Sequence, residues 1–362
     1  MTHGDGPWGD PNGDWGAPTT YGSRPPGGGG RRRRRGATGP LLAIGAVVVI
    51  GVVAALAAVR ISHRDHSTAA STHTTPHGSA ASGAPTTGDH RSGSPAPAAT
   101  APVHVSLFEG DGQTYGIGMP IIAQFSKKVT NAHPFNNAVK VTVNGQPASG
   151  AWFWVNSNSG YAMEAHYRPE QFWPAHAKVE LTMPLKGISA GTGLAFDDSL
   201  TLSMNIGAAH VSTVDGGSEQ MRVTSDGQTV KTFPVSLGKA STPTYLGTKV
   251  VMAKKNPQHM VSAPGEANPY SLQVPWSVRV TNSGEFVHAA AWNGGNIGLR
   301  STSHGCTNLN VDDAKWFYNF SIVGDVVQYS NTGTSNVMPS WDGFGDWNVP
   351  WSQWQAGNLL KN

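Results

Sequence analysis

From Val103 to Ile206 apolar and polar residues trade places over short segments broken by turn residues, the period-two pattern of half-buried strands. Val139, Val141 and Val143 alternate up to Asn144-Gly145, a dipeptide that tolerates the positive φ angles of a two-residue hairpin turn. Further strands are predicted over 121–125, 151–155, 179–183 and 200–204. Their spacing, with no long helical pattern between them, predicts an antiparallel sandwich of the immunoglobulin kind over 103–208. Trp152, Trp154, Phe172 and Trp173 either fill its small core or form a sugar-stacking surface, and core packing is the simpler reading. A second β-rich stretch starts near Ala209. Met221-Arg222-Val223 leads through Asp226-Gly227 into an apolar run over 230–237, with more β-like segments over 248–253, 277–280 and 286–290. The pattern then changes. Asn310 can cap a helix carrying Asp312 and Asp313 in its first turn, with Ala314, Phe317 and Tyr318 on the inward face, before strand character returns over 323–329.

Upstream the pattern is different. Residues 1–40 are rich in Gly and Pro, show no apolar periodicity and end near five consecutive arginines, Arg31 to Arg35, so disorder is expected. The stretch 41–59 is uncharged and apolar. At about 1.5 Å per residue its length matches a hydrocarbon core of about 30 Å. Only Arg60 and Arg64 follow closely, so the charge asymmetry places the N-terminus in the cytoplasm and the rest of the chain outside. A cleaved signal peptide is the competing reading. The apolar run is long for one, so an uncleaved single-pass anchor in the cell membrane is expected. The run of arginines is read as the orienting signal and not as a nucleic-acid patch. Residues 60–102 hold Ser, Thr, Ala, Pro, Gly and His and read as a flexible tether. Their scattered histidines, His63, His66, His73, His77 and His90, are assigned no metal.

Composition narrows the function. A formal net charge of +3 in 362 residues, with no basic patch interleaved with aromatics, gives no support for nucleic-acid binding. The single cysteine, Cys306, rules out an internal disulfide and is a poor basis for a structural zinc site. It lies in Ser303-His304-Gly305-Cys306-Thr307-Asn308, where Gly305 allows close approach of the backbone to a ligand and Ser303, His304 and Asn308 crowd polar groups around the sulfur. Such neighbours suit a nucleophile better than an inert core thiol.

A thiol nucleophile needs an imidazole near it. No histidine follows Cys306, so the base lies upstream, which excludes folds with the order Cys then His. His304 is too close along the chain to face the sulfur well. His288 ends the strand-like Gly284-Glu285-Phe286-Val287-His288, and the loop Trp292-Asn293-Gly294-Gly295-Asn296 returns the chain toward Cys306. Residues 289–291 are all Ala, so the second ring nitrogen is expected to bond a backbone carbonyl, that of Ala289. With His288 as base, the thiol should react below the pH set by a free thiol of pKa about 8.5. Backbone N–H groups around Gly305 and Cys306 are the natural oxyanion donors.

The pair of His288 and Ser303-His304-Gly305-Cys306-Thr307-Asn308 resembles the signature of the L,D-transpeptidase (YkuD-type) catalytic domain, over about residues 209–330. Gly345-Asp346-Trp347-Asn348-Val349-Pro350-Trp351, followed by Gln353-Trp354, is similar to the Trp-rich C-terminal extension of actinobacterial and mycobacterial members, here 331–362. The departure is Ala289, where mycobacterial relatives carry Ser; only the carbonyl is needed there. The resemblance implies a mainly β chain with an immunoglobulin-like domain ahead of the catalytic one. It implies a cysteine acyltransferase of cell-wall biogenesis with no cofactor, which links peptidoglycan stem peptides 3→3. Cys306 would attack the carbonyl of the third stem residue, a meso-diaminopimelate, and an amine of a second stem would resolve the thioester. Carbapenem β-lactams would acylate the same sulfur. By family position Tyr270 lies on a lid over the cleft, Ser283, Gly284 and Asn308 meet the donor, and Trp292 walls the cleft. Ser303 and His304 join them in the substrate-binding set. Tyr270 and Trp292 are also consistent with ordinary aromatic packing.

Three rival readings compete with this one. An L,D-carboxypeptidase of the same fold would use the same Cys and His with water as acceptor. A sortase needs a longer His–Cys separation and an Arg after the Cys, and no Arg follows Cys306. A non-catalytic wall-binding protein would have no use for an intact Cys–His pair.

Overall fold

The computed structural model describes residues 100–262, Gly265 and 269–362. The expected N-terminal segment, the anchor and the tether up to residue 99 lie outside the described residues; the end of the tether is corrected, since Ala101 and Pro102 belong to a strand, Ala101–Val103, that pairs with Leu194–Phe196. Among the described residues no helix is long and apolar enough to cross a membrane.

The first module is a sandwich. One antiparallel sheet runs in the order Val105–Leu107, Ile121–Phe125, Met163–Pro169, Gly150–Val155. The other runs Thr114–Tyr115, Leu200–Ile206, Lys178–Met183, Lys140–Val143, Gln146–Pro147. The Asn144-Gly145 turn has φ of 50° and 77°, as a twisted two-residue hairpin demands. Between the sheets Phe125 stacks on Trp154 at 5.2 Å, and Phe135 meets Trp152 and Trp154 edge-on, each at 5.1 Å. Trp152, Trp154 and Trp173 are therefore core residues and not a sugar platform. Phe172 instead packs on Trp347 of the C-terminal tail at 4.5 Å. Phe135 comes from a short helix, His133–Ala138, which the alternation of residues did not reveal because its six residues are too few for a helical period.

The second module joins two sheets. The first has the order Gln228–Pro234, Gln220–Ser225, His210–Asp215, Val326–Ser330, Gly247–Val250, and its two central strands, His210–Asp215 and Val326–Ser330, are parallel. The second has the order Ala253–Lys255, Ser277–Arg279, Phe286–Ala289, Thr307–Leu309. The apolar run over 248–253 thus serves both: the chain leaves one sheet at Val250 and joins the other at Ala253. The helix Val311–Phe320 lays Ala314 and Phe317 against Val287 and Ala289 of the strand Phe286–Ala289. Asn310 takes the cap position with its backbone, but its side chain makes no capping hydrogen bond, contrary to expectation.

The modules share backbone hydrogen bonds. Gly116 and Gly118 donate their N–H groups to the carbonyls of Val323 and Gly324, at 2.8 and 2.9 Å. A Cβ at Gly116 would lie 2.2 Å from the Asp325 nitrogen, so only glycine fits. Met119, Ile122, Val250, Met252 and Phe344 form a dry seam beside this contact. The tail then straps across. The helix Trp351–Ala356 buries Trp354 on Phe153 at 4.5 Å, and the Trp354 indole N–H donates to the Ala151 carbonyl at 2.8 Å. The Arg168 guanidinium lies 4.8 Å from the Trp347 ring and 4.4 Å from that of Trp354, and donates to the Val349 carbonyl at 2.7 Å.

Candidate active site

The site grows out of one hairpin and one parallel strand. Ser277–Arg279 pairs antiparallel with Phe286–Ala289, and the residues between them make a tight turn. Thr307–Leu309 lies parallel to Phe286–Ala289 with Asn308 opposite His288. Paired residues point to the same face of a sheet, and Cys306, two positions before Asn308, repeats that orientation. The sulfur and the imidazole are therefore brought to one face, while the helix Val311–Phe320 covers the other.

His288 is buried, and its Nδ1 lies 2.9 Å from the Ala289 carbonyl. A carbonyl only accepts, so Nδ1 carries the proton and Nε2 is left as the acceptor. Burial pulls the imidazole down to about 4, against a smaller upward effect of the Ala289 carbonyl. The thiol of Cys306 is turned toward the Gly284 carbonyl, 3.7 Å away. Burial pushes it up to about 12; the Phe286 N–H lowers it, Glu285 raises it, and Lys249 and Arg279 lower it. Burial thus favours a neutral thiol and a neutral imidazole at rest. Such a pair works by general-base transfer during attack.

Gly305 has φ of +124°. Its N–H donates to Ser303 Oγ at 3.1 Å, and that hydroxyl donates to the Cys306 carbonyl at 2.6 Å. The Gly305 N–H is thus engaged within the turn, and the Ser303 hydroxyl braces the loop. Thr244 Oγ1 adds a bond to the Gly305 carbonyl at 2.8 Å. His304 is exposed, with Nε2 2.9 Å from Lys239 Nζ and its ring 5.6 Å from that of Tyr270. Tyr270 sits where the hairpin of Gln258–Val261 and Ser271–Val274 begins its second strand, donating its N–H to Ser262 Oγ. Trp292, 59% exposed, stacks over His288 with ring centroids 5.9 Å apart. Asn308 is buried, and its Oδ1 has no hydrogen-bond partner among the described residues, an acceptor on the face shared with His288. Ser283 is tied by its N–H and its hydroxyl to the Asp342 carboxylate, each at 2.6 Å.

Sequence reasoning missed the charges behind the sulfur. Lys249 and Glu285 form a buried ion pair; Glu285 also accepts the Tyr245 N–H at 2.9 Å, and Lys249 Nζ lies 3.8 Å from the Tyr329 ring centroid. The signal was present: a lysine directly before Val250-Val251 and a glutamate directly before Phe286-Val287 adjoin apolar runs, where a buried charge requires a partner. Among the described residues no group of His, Cys, Asp and Glu could hold a metal ion.

Known proteins match this arrangement. Residues 209–328 fit the family of the L,D-transpeptidase catalytic domain, and 66–189 fit that of the bacterial Ig domain, whose match begins within the stretch read as a tether. Probable L,D-transpeptidase 3 of Mycobacterium tuberculosis is 30% identical over 239 residues, 61% of this chain and 84% of the relative. The chain belongs to the L,D-transpeptidase family. L,D-transpeptidase 2 of M. tuberculosis is 34% identical over 267 residues, 72% of this chain. The chain spans 64% of that relative's length. A solved LD transpeptidase in complex with imipenem is 25% identical, with a TM-score of 0.53 over 64% of this chain and 99% of the other.

Proposed function

We propose that the chain is a peptidoglycan L,D-transpeptidase that forms 3→3 cross-links through a thioacyl-enzyme. The observation that carries this is the neutral His288 imidazole, oriented by the Ala289 carbonyl, on the same sheet face as the sole thiol. Cys306 attacks the carbonyl of the donor's third residue as its proton passes to His288 Nε2. The tetrahedral oxyanion meets the Cys306 N–H, since the Gly305 N–H is engaged by Ser303. Collapse expels D-Ala, whose amine takes the proton from His288, and the thioester forms. A diaminopimelate amine of a second stem then attacks, its proton goes to His288, and the thiol is released with the cross-link made.

The same attack on the strained carbonyl of a carbapenem opens its ring and leaves an adduct on Cys306. The imipenem complex of the related structure supports that reading. The arginines before 41–59 support a single-pass anchor with the catalytic module outside the cell membrane.

Incubating the protein with disaccharide-tetrapeptide and identifying products by mass tests the reaction. Dimers with release of D-Ala are expected, and none from Cys306→Ala. Tripeptide without dimer at high acceptor concentration would favour the L,D-carboxypeptidase alternative. Protease added to intact protoplasts tests the topology: digestion of the catalytic module is expected, and its protection would count against the anchor orientation.

A further inference from the structure

The turn between Ser277–Arg279 and Phe286–Ala289 presents the Gly284 carbonyl to the Cys306 sulfur. Gly284 itself sits at φ +106°, where the backbone has little preference of its own. The turn is held from three sides. From its own strand, Arg279 donates to the carbonyls of Thr281 and Asn282 at 2.9 and 3.1 Å. From within, Thr281 Oγ1 accepts the N–H groups of Gly284 and Glu285 at 3.1 and 2.8 Å. From the tail, Asp342 takes both donors of Ser283.

Asp342 lies beyond residue 328, where the match to the catalytic domain ends. It is fully buried, and the next residue packs as closely: a Cβ at Gly343, which has φ of +87°, would stand 2.5 Å from the Met252 sulfur and 3.4 Å from the Asn282 nitrogen. The tail is itself pinned, since Asp346 pairs with His166 of the sandwich at 3.0 Å.

We infer that Asp342 is a positioning residue, a latch from the C-terminal tail that holds the Ser283–Gly284 turn so that the Gly284 carbonyl fixes the Cys306 sulfur for attack. Ser283 then acts through the latch and not by touching the donor, which separates this reading from the role expected of it by resemblance. The inference rests on the proposed function only in taking Cys306 as the group that is acylated.

The test uses the purified protein and three variants, Asp342→Asn, Ser283→Ala and the double Asp342→Asn/Ser283→Ala. Asp342→Asn keeps an acceptor for the Ser283 N–H and loses the one for its hydroxyl. Three readouts are taken: imipenem acylation of Cys306 by mass, iodoacetamide alkylation of the same sole thiol, and amide hydrogen exchange across 281–286. The latch predicts acylation slowed about tenfold or more in each single variant, because small misplacements of reacting groups are expensive. It predicts a double variant no slower than the slower single, because the two residues act as one unit. Exchange should quicken at 283–285 alone, and alkylation, which needs no aligned donor, should not rise. Additive losses would mean that Ser283 meets the substrate directly and would overturn the latch. So would unchanged exchange at 283–285 in Asp342→Asn, or a rise in alkylation that tracks a general loosening of the fold. Should Asp342→Asn not fold, Ser283→Ala decides by the same exchange and acylation readouts, with unchanged values overturning the inference. Absence of an imipenem adduct on the wild-type chain would count against the transpeptidase reading, while the exchange data would still judge the latch.

Discussion

Burial moves the two members of the Cys306–His288 pair in opposite directions, the imidazole down to about 4 and the thiol up to about 12. Over the range between, one proton stays on sulfur and the ring remains a free base. Imipenem acylation should therefore be level across neutral pH and fall as pH drops through about 4, read as adduct formation against time. A rise with pH centred near an ordinary thiol value would show a thiolate mechanism instead. The sign for stability follows the depressed value: His288 contributes stability above its ordinary 6.5, and this is lost as pH falls toward 4. His288→Ala should slow acylation by about 10²- to 10⁴-fold, the usual worth of a general base. Ala289→Ser should leave it largely unchanged, because the ring is held by the carbonyl. Both outcomes were legible in the residues, since three alanines after His288 leave no side chain to orient it. The protonation state was not, because it depends on how much water the assembled cleft excludes.

Among the elements, the strand Phe286–Ala289 carries the most. Its inner face bears His288, its other face packs on the helix Val311–Phe320, and Glu285 just before it reaches Lys249 on the strand Gly247–Val250. Burial pushes the Glu285 carboxyl up and the Lys249 ammonium down, and each offsets the other's desolvation. Lys249→Met should destabilise the protein by about 3–5 kcal/mol, because it strands a buried carboxylate. Lys249→Met with Glu285→Leu should lose much less, since an apolar pair leaves no charge without a partner. Urea unfolding of the three proteins checks the order, and equal losses in the single and double variants would refute it. Alternation of residues showed the two strands; only their adjacency reveals that these charges are partners.

Across the whole molecule the tail and the sandwich form one support. His166 sits between Asp346 and Glu164; burial lowers it, but the attraction and hydrogen bonds of the two carboxylates together raise it to about 10. A raised histidine contributes stability that is fully present below 6.5 and is lost as pH rises through about 10. Glu109, buried beside them, is raised to about 8 by desolvation, so it too weakens the fold as pH climbs above its ordinary 4.5. The melting temperature should fall between pH 7 and about 10, and Glu109→Gln should flatten the lower part of that fall. A melting temperature level over that range would refute the assignment. Trp354→Ala should cost about 3–5 kcal/mol, since it removes a fully buried ring stacked on Phe153.

Local chemistry accounts for what the sequence determined alone. Alternating residues with Asn144-Gly145 and Asp226-Gly227 specify strands and hairpins, because side-chain period and turn φ are properties of neighbours in the chain. A single thiol, one upstream histidine at a strand end and the residues beside them mark out the proposed reacting pair for the same reason. The Lys249–Glu285 couple and the Asp342 latch join residues far apart in sequence, and each bond exists only once two elements have packed. The neutral state of the pair and the coupling of the tail to the turn were therefore decided by tertiary structure, through burial that no segment possesses before the chain has folded.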